Sequence, residues 1–230
     1  MAESPTRAPK KSVGAGIYAN VELVVVIFLG LVSVATAFTS FQSGLYHGHG
    51  DDKVSQSEDA GTLAESLYLE GNQQYVQDAQ TVLRLAELNI DAQSADPVTA
   101  ADAIAKYDEI YFIGVSPELD AAIRWAADLD ESDPGSYHYP LLDDAYLDAR
   151  YGPYDGQSAV SDELRAEGDQ LGKAGDQLGF YTTLMAITLF LLGIAAVVRN
   201  LRMRWVLIAI GMTIFLVTVV LTAMIPFTWI

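Results

Sequence analysis

The chain of 230 residues contains no cysteine, which excludes disulfides and thiolate chemistry. Histidine occurs only at positions 47, 49 and 138, and the sequence places no nucleophile beside any of them. No glycine-rich phosphate loop follows a strand, and neither Gly-x-Ser-x-Gly nor His-Glu-x-x-His occurs. Adjacent acids are frequent, as at Asp51-Asp52, Glu58-Asp59, Asp143-Asp144 and Asp162-Glu163. Neighbouring residues on a helix point about 100° apart, however, so such pairs need not cooperate. The expectation is a protein that is not an enzyme and uses no cofactor.

Basic charge is also scarce. Thirteen Lys and Arg stand against 30 Asp and Glu, for a net charge of −17. Of those acids, 28 fall between residues 42 and 178, where only seven residues are basic. A field of that sign repels nucleic acid and anionic lipid headgroups, attracts cations to the surface, and favours solubility in a salty or acidic exterior.

Charge is missing altogether from two long stretches. Phe180–Val198 and Trp205–Ile225 hold no charged residue, and Val21–Phe41 holds only Glu22. About 20 apolar residues at about 1.5 Å rise cross the hydrocarbon core, and a span of this kind must be helical to satisfy its backbone. The first run exceeds the apolar core of a cleaved leader, and its one small-x-small triplet, Ala35-Thr36-Ala37, lies inside the run; it reads as an anchor.

Arg7, Lys10 and Lys11 precede the first run, and Arg199, Arg202 and Arg204 fill the turn between the other two. The positive-inside rule puts both segments on the cytoplasmic side. The layout expected is a cytoplasmic tail (1–17), a first span (18–41), an acidic extracytoplasmic domain (42–178), a second span (179–198), a basic cytoplasmic turn (199–204), a third span (205–225) and an outer C-terminus (226–230). The fold class is then an all-α integral protein of the cytoplasmic (inner) membrane, with a helical extracytoplasmic domain inserted between spans one and two.

Within that frame, Glu22 is a candidate for pairing inside the membrane with Arg199, Arg202 or Arg204. His47, His49 and Asp51 are a candidate metal set by residue type, in a Gly-rich segment expected to be a mobile loop. Ser55 and Glu58 form a capping box, followed by 3.6-type apolar spacing at Leu63, Leu67, Tyr75, Ala79, Val82, Leu83, Ala86 and Ile90, so a helix is expected over 55–90. Asp96-Pro97 and Ser116-Pro117 read as helix starts. The first helix is expected to end near Asp108, with Glu109–Val115 a buried turn or a strand. Leu141–Tyr151 reads as a short helix, and Gly152-Pro153 with Gly156 as a break before a last long helix near Ser158. The tyrosines at 137, 139, 146, 151 and 154 suggest either a cation–π surface or a loop held by aromatic rings.

The long last helix carries the repeat GDQLGKA–GDQLGFY. Leu164, Leu171, Leu178, Met185 and Leu192 fall seven apart, while Gly168, Gly172, Gly175 and Gly179 have small-xxx-small spacing. Four glycines in twelve residues cost a lone helix about 1 kcal/mol each. The pattern therefore predicts a seam of Leu164, Gly168, Leu171, Gly172, Gly175, Leu178 and Gly179 pressed by another helix, either the first span with its extension or the same helix of a second protomer.

The end of the first span, Ala35-Thr36-Ala37-Phe38-Thr39-Ser40-Phe41-Gln42 with Gly48 beyond it, resembles an uncharacterised family of prokaryotic membrane proteins, the DUF4337-type proteins, which carry Ala-Thr-Ala-Trp-Ser-x-Tyr-Gln and then Trp-Ser-Gly there. Ser116-Pro117-Glu118-Leu119 with Trp125 is similar to the family's Arg-Pro-Glu-Leu…Trp segment, and Gly179-Phe180-Tyr181 to the entry of its second span. Phe38 and Phe41 stand where the family has Trp and Tyr, and Tyr46-His47-Gly48 where it has Trp-Ser-Gly. The resemblance implies one N-terminal span, a helical outer segment and two C-terminal spans. It implies no activity.

Two function classes follow. One is a structural protein that assembles with its own copies or serves as an accessory subunit of a larger membrane complex. The other is an oligomeric cation channel or transport element with an acidic outer vestibule. Three helices enclose no aqueous path alone, and these spans offer little polar lining beyond Ser and Thr. Membrane lipid and other protomers or a membrane complex are the expected partners, with cations at the outer surface and no nucleic acid.

Overall fold

A computed structural model describes residues 13–133 and 135–227, and the expected cytoplasmic tail lies largely outside the described residues. Five α-helices account for nearly all of them: α1 (Val13–Asp91), α2 (Pro97–Gly114), α3 (Pro117–Ser132), α4 (Asp144–Val197) and α5 (Leu201–Ala223). A single 3₁₀ turn, Pro140–Leu142, precedes α4. Among the described residues there is no β-strand. Three of the helices, α1, α4 and α5, contain windows long and apolar enough to cross a membrane.

The short helices begin where local chemistry dictates. The Asp96 carboxylate accepts from the backbone N–H groups of Val98 and Thr99 ahead of Pro97, and the Ser116 hydroxyl accepts from Leu119 N–H ahead of Pro117. Each satisfies donors that a first helical turn leaves unpaired. Bonding to the Thr99 hydroxyl and to these N–H groups holds the Asp96 carboxyl below its ordinary range.

Three expectations are corrected, all in the direction of longer helices. α2 does not stop near Asp108. It continues through the apolar run to Gly114, with Tyr107 stacked on Tyr111 at 5.9 Å and the Tyr111 hydroxyl donating to Asp120 of α3. Residues 42–54 are not a loop; α1 passes through them unbroken, so Ser55 and Glu58 cap nothing. Likewise α4 starts at Asp144 and runs straight through Gly152, Pro153 and Gly156. Proline deprives the Ala149 carbonyl of its helical donor. Neighbouring contacts hold the turn: Tyr151 and Tyr154 pack on Tyr68 of α1 with ring centroids 5.8 and 5.4 Å away.

The chain divides into two compact units. One comprises the residues up to Val54 and from Ala166 onward, and the other Ser55–Arg165. The first holds all three apolar windows. Its core is Val21, Val25 and Val32 of α1, Met185, Leu192 and Ala195 of α4, and Ile208 and Phe215 of α5. The second is acidic, with 23 Asp and Glu against five Lys and Arg. Its core is Val82 of α1, Leu119 and Ala122 of α3, Leu141 and Tyr146.

Candidate functional site

In the first unit, α1 and α4 run antiparallel with glycine at successive contacts. A Cβ added at Gly168 would fall 2.9 Å from Val54 Cγ2 and 3.0 Å from the Gly50 carbonyl oxygen, and one added at Gly50 would fall 3.1 Å from the Gly168 oxygen and 3.2 Å from Gly172 N. At Gly175 it would overlap the His47 ring, 2.2 Å from Nδ1, and at Gly179 it would touch Ser43 Oγ at 3.6 Å. Ser43 Oγ donates to the Gly175 carbonyl at 2.8 Å. Positions 43, 47, 50 and 54 thus meet 179, 175, 172 and 168 in one register. The absent side chains are what let two backbones approach this closely. That is also why Gly50 does not interrupt α1: helix-on-helix packing there outweighs a propensity cost of about 1 kcal/mol.

The heptad leucines follow the same face of α4. Leu164 and Leu171 are half-buried, while Leu178, Met185 and Leu192 are buried. The seam is therefore taken by α1 of the same chain, which removes it as a contact between protomers.

Arg204, not Arg199 or Arg202, faces Glu22. Its Nη1 lies 3.9 Å from Glu22 Oε1 and its side chain is 3% exposed. Arg199 and Arg202 are exposed and form no ion pair among the described residues. The choice follows from phase: Asn200 caps α5 through Arg202 N–H, which leaves Arg202 outside and turns Arg204, half a turn on, inward.

Helical phase also separates the candidate metal ligands. Two residues apart on α1, His47 and His49 point about 200° from one another. His47 Nε2 sits 3.3 Å from Asp176 of α4. Among the described residues no group of three or more His, Asp or Glu is placed to hold a metal ion.

The acidic unit contains a buried polar network with no precedent in the sequence reading. Asp78 of α1 is fully buried. It accepts from the Tyr146 hydroxyl at 2.7 Å and from Gln74 Nε2 at 2.8 Å, and Arg150 Nη2 stands 3.4 Å away. Arg150 lies over the Tyr146 ring at 5.2 Å and donates to Ser116 Oγ at 2.9 Å. Burial, reinforced by the bond to Asp78, pushes the Tyr146 phenol well above its ordinary range. These partners satisfy the carboxylate, and the network ties α1, α3 and α4 together.

Nearby, Asp130 fixes the segment after α3. Its Oδ1 accepts from His138 N–H at 2.8 Å and lies 2.7 Å from His138 Nδ1. The His138 bond holds the Asp130 carboxyl below its ordinary range. Of the sequence-marked tyrosines, 146, 151 and 154 are thus packing residues, while Tyr137 remains largely exposed.

α1 presents two opposite faces in this unit. The inward face is the heptad Ser57, Ala64, Gly71, Asp78 and Leu85, all buried. Ser57 and Ser161 exchange hydroxyl-to-carbonyl bonds of 2.8 Å in both directions, and a Cβ at Gly71 would fall 2.5 Å from the Arg150 carbonyl. The outward face is a second heptad, Leu69, Val76, Leu83 and Ile90, exposed at 65%, 48%, 62% and 70%. The spacing predicted one apolar stripe containing Leu83 and Ile90 on the buried side. The structure buries Val82 of that stripe, together with Leu85, Leu88 and the small and polar residues of the inward heptad, and turns Leu83 and Ile90 outward.

The fold and these contacts define an all-helical protein with three potential membrane-spanning helices. Comparison with known family models, with curated proteins and with solved structures finds no match, so no residue role is carried over from another protein.

Proposed function

We propose that this chain is a non-catalytic integral membrane protein of the cytoplasmic membrane that works by assembly, with its acidic helical unit outside and the basic turn between α4 and α5 inside. Three apolar helices support the membrane reading, together with Arg199 in the turn before α5 and Arg202 and Arg204 in its first turn. The Glu22–Arg204 contact, with the arginine buried and the glutamate exposed, fits a bundle that sets a cation beside its one acidic residue near a membrane face. The resemblance to DUF4337-type proteins supports the same topology and adds no activity.

The observation that carries assembly is the outward heptad Leu69, Val76, Leu83 and Ile90. It lies outside every apolar window, on a surface otherwise crowded with acids. An exposed apolar stripe at such a place marks an interaction site. A homo-oligomer is the favoured form, because the middle of the stripe is flanked by the uncharged amides Gln73, Gln77 and Gln80, with the acids Glu70, Glu87 and Asp91 toward its ends; an accessory role in a larger complex is the other form. A cation channel finds less support: the buried threonines 188 and 218 spend their hydroxyls on carbonyls of their own helices, Leu184 and Ile214.

Light scattering after size exclusion in a mild maltoside detergent tests this. The wild-type chain should run as a multimer, and Leu83→Glu should run as a single chain with unchanged helical circular dichroism. Equal protein masses for the two would defeat the assignment of the stripe.

A further inference from the structure

We infer that the partner on the outward face of α1 is α1 of a second copy, lying parallel and in register. This rests on the assembly reading above and adds to it the identity and direction of the partner.

The face has the form of a coiled-coil seam. Leu69, Val76, Leu83 and Ile90 occupy one heptad position, and Asn72, Ala79 and Ala86, three residues on from the first three, occupy the other. Large and small side chains thus alternate along about 32 Å of helix, taking 21 steps of about 1.5 Å. Alanine at the second position lets a partner backbone come close and seats its larger side chains as knobs. A groove of about 460 Å³ already runs beside the stripe, lined by Tyr75, Val76, Ala79, Leu83, Tyr137 and Tyr139. It is the hollow such knobs would fill, with Tyr137 as its outer wall.

Charge selects the partner. A chain of net charge −17 meets its own copy only through a face that carries little like charge. Gln73 and Gln80 flank the seam, and the one acid in the same flanking row, Glu87, is already paired with Arg84 at 2.8 Å. Asp78 points inward and is consumed by Tyr146 and Gln74. Glu70 and Asp91 stand beside the two ends of the seam, so it is the uncharged middle that fits an identical face. Asn72 is the one polar member of the seam. A slipped pairing would bury its amide against apolar side chains, so it holds the register.

Direction follows from insertion. Copies threaded into one membrane with the same orientation are related by an axis along the membrane normal, which leaves their α1 helices parallel. Leu69 then meets Leu69 of the partner copy, and Ile90 meets Ile90.

The chain has no cysteine, so single-cysteine variants of the full protein report this directly. Leu69→Cys and Ile90→Cys, reconstituted in liposomes and oxidised, should each form a disulfide-linked dimer alone, since Cα atoms about 5.5–6 Å apart bridge without strain. If neither links alone but a mixture gives the 69–90 product, the pairing is antiparallel and the inference is overturned. If native mass shows a multimer and no combination links, another face carries assembly; the inference falls while the assembly reading stands. A single-chain mass for the uncrosslinked wild type removes the assembly reading itself.

Discussion

The imidazole of His47 occupies the space where Gly175 has no side chain: a Cβ there would fall 2.2 Å from Nδ1. Three residues away, Gly172 faces nothing within 4 Å on the side where its Cβ would stand. Two glycines of one repeat therefore have opposite requirements. Gly172→Ala should raise stability by about 0.5–1 kcal/mol through helix propensity and a smaller unfolded-state entropy. Gly168→Ala, against Val54 and the Gly50 carbonyl, should lower it by about 1–3 kcal/mol through overpacking. Thermal melts of the two variants in the same detergent check the sign of each; a shared sign would mean that close backbone approach does not govern this seam.

The buried network of the acidic unit predicts a graded series. Tyr146→Phe removes one donor from a buried carboxylate and should cost about 1–3 kcal/mol. Arg150→Met removes the cation beside Asp78 and should cost more, about 3 kcal/mol. Chemical denaturation followed by circular dichroism measures both, and a larger loss in Tyr146→Phe would reverse the assignment of roles.

The Asp130–His138 contact predicts acid sensitivity of the segment 135–139. The bond from His138 holds the Asp130 carboxyl below the ordinary aspartate value of 3.8. A depressed carboxylate contributes stability that is present above 3.8 and is lost as pH falls through the folded-state value. Trp125, whose ring lies 6.5 Å from that of His138, reports the event. Its fluorescence should hold steady from neutral pH to about 4 and change below that, and Asp130→Asn should show the altered signal already at neutral pH. An unchanged Asp130→Asn signal at neutral pH would show that this contact does not hold the segment.

How much of this could be read from sequence depends on how local the cause is. The three apolar runs and the caps at Asp96 and Ser116 are set by residues within a turn of one another, and each appears where expected. The heptad from Leu164 to Leu192 is regular enough to show which side of α4 packs. The continuity of α1 through residues 42–54 and of α4 through Pro153 was not legible. Gly50, Gly71 and Pro153 carry local signals for a break, and the opposing signal comes from a helix about 100 residues away in sequence. The same distance hid the inward face of α1. Ser57, Ala64, Gly71 and Asp78 are too small or polar to register in a hydrophobic pattern, so the expected stripe mixed buried Val82 with outward Leu83 and Ile90 and left out Leu69 and Val76. Arg204 needed the start of α5 at Leu201 before its direction could be assigned.

The central claim is that chains meet one another through the outward face of α1. Native mass spectrometry of the wild-type protein released from mild detergent tests it most directly. Pairing through Leu69, Val76, Leu83 and Ile90 gives an integral multiple of the 24.9 kDa chain mass, reduced to one chain by Leu83→Glu. A wild-type spectrum containing only the single chain, at concentrations where the variant and the wild type are indistinguishable, would contradict it.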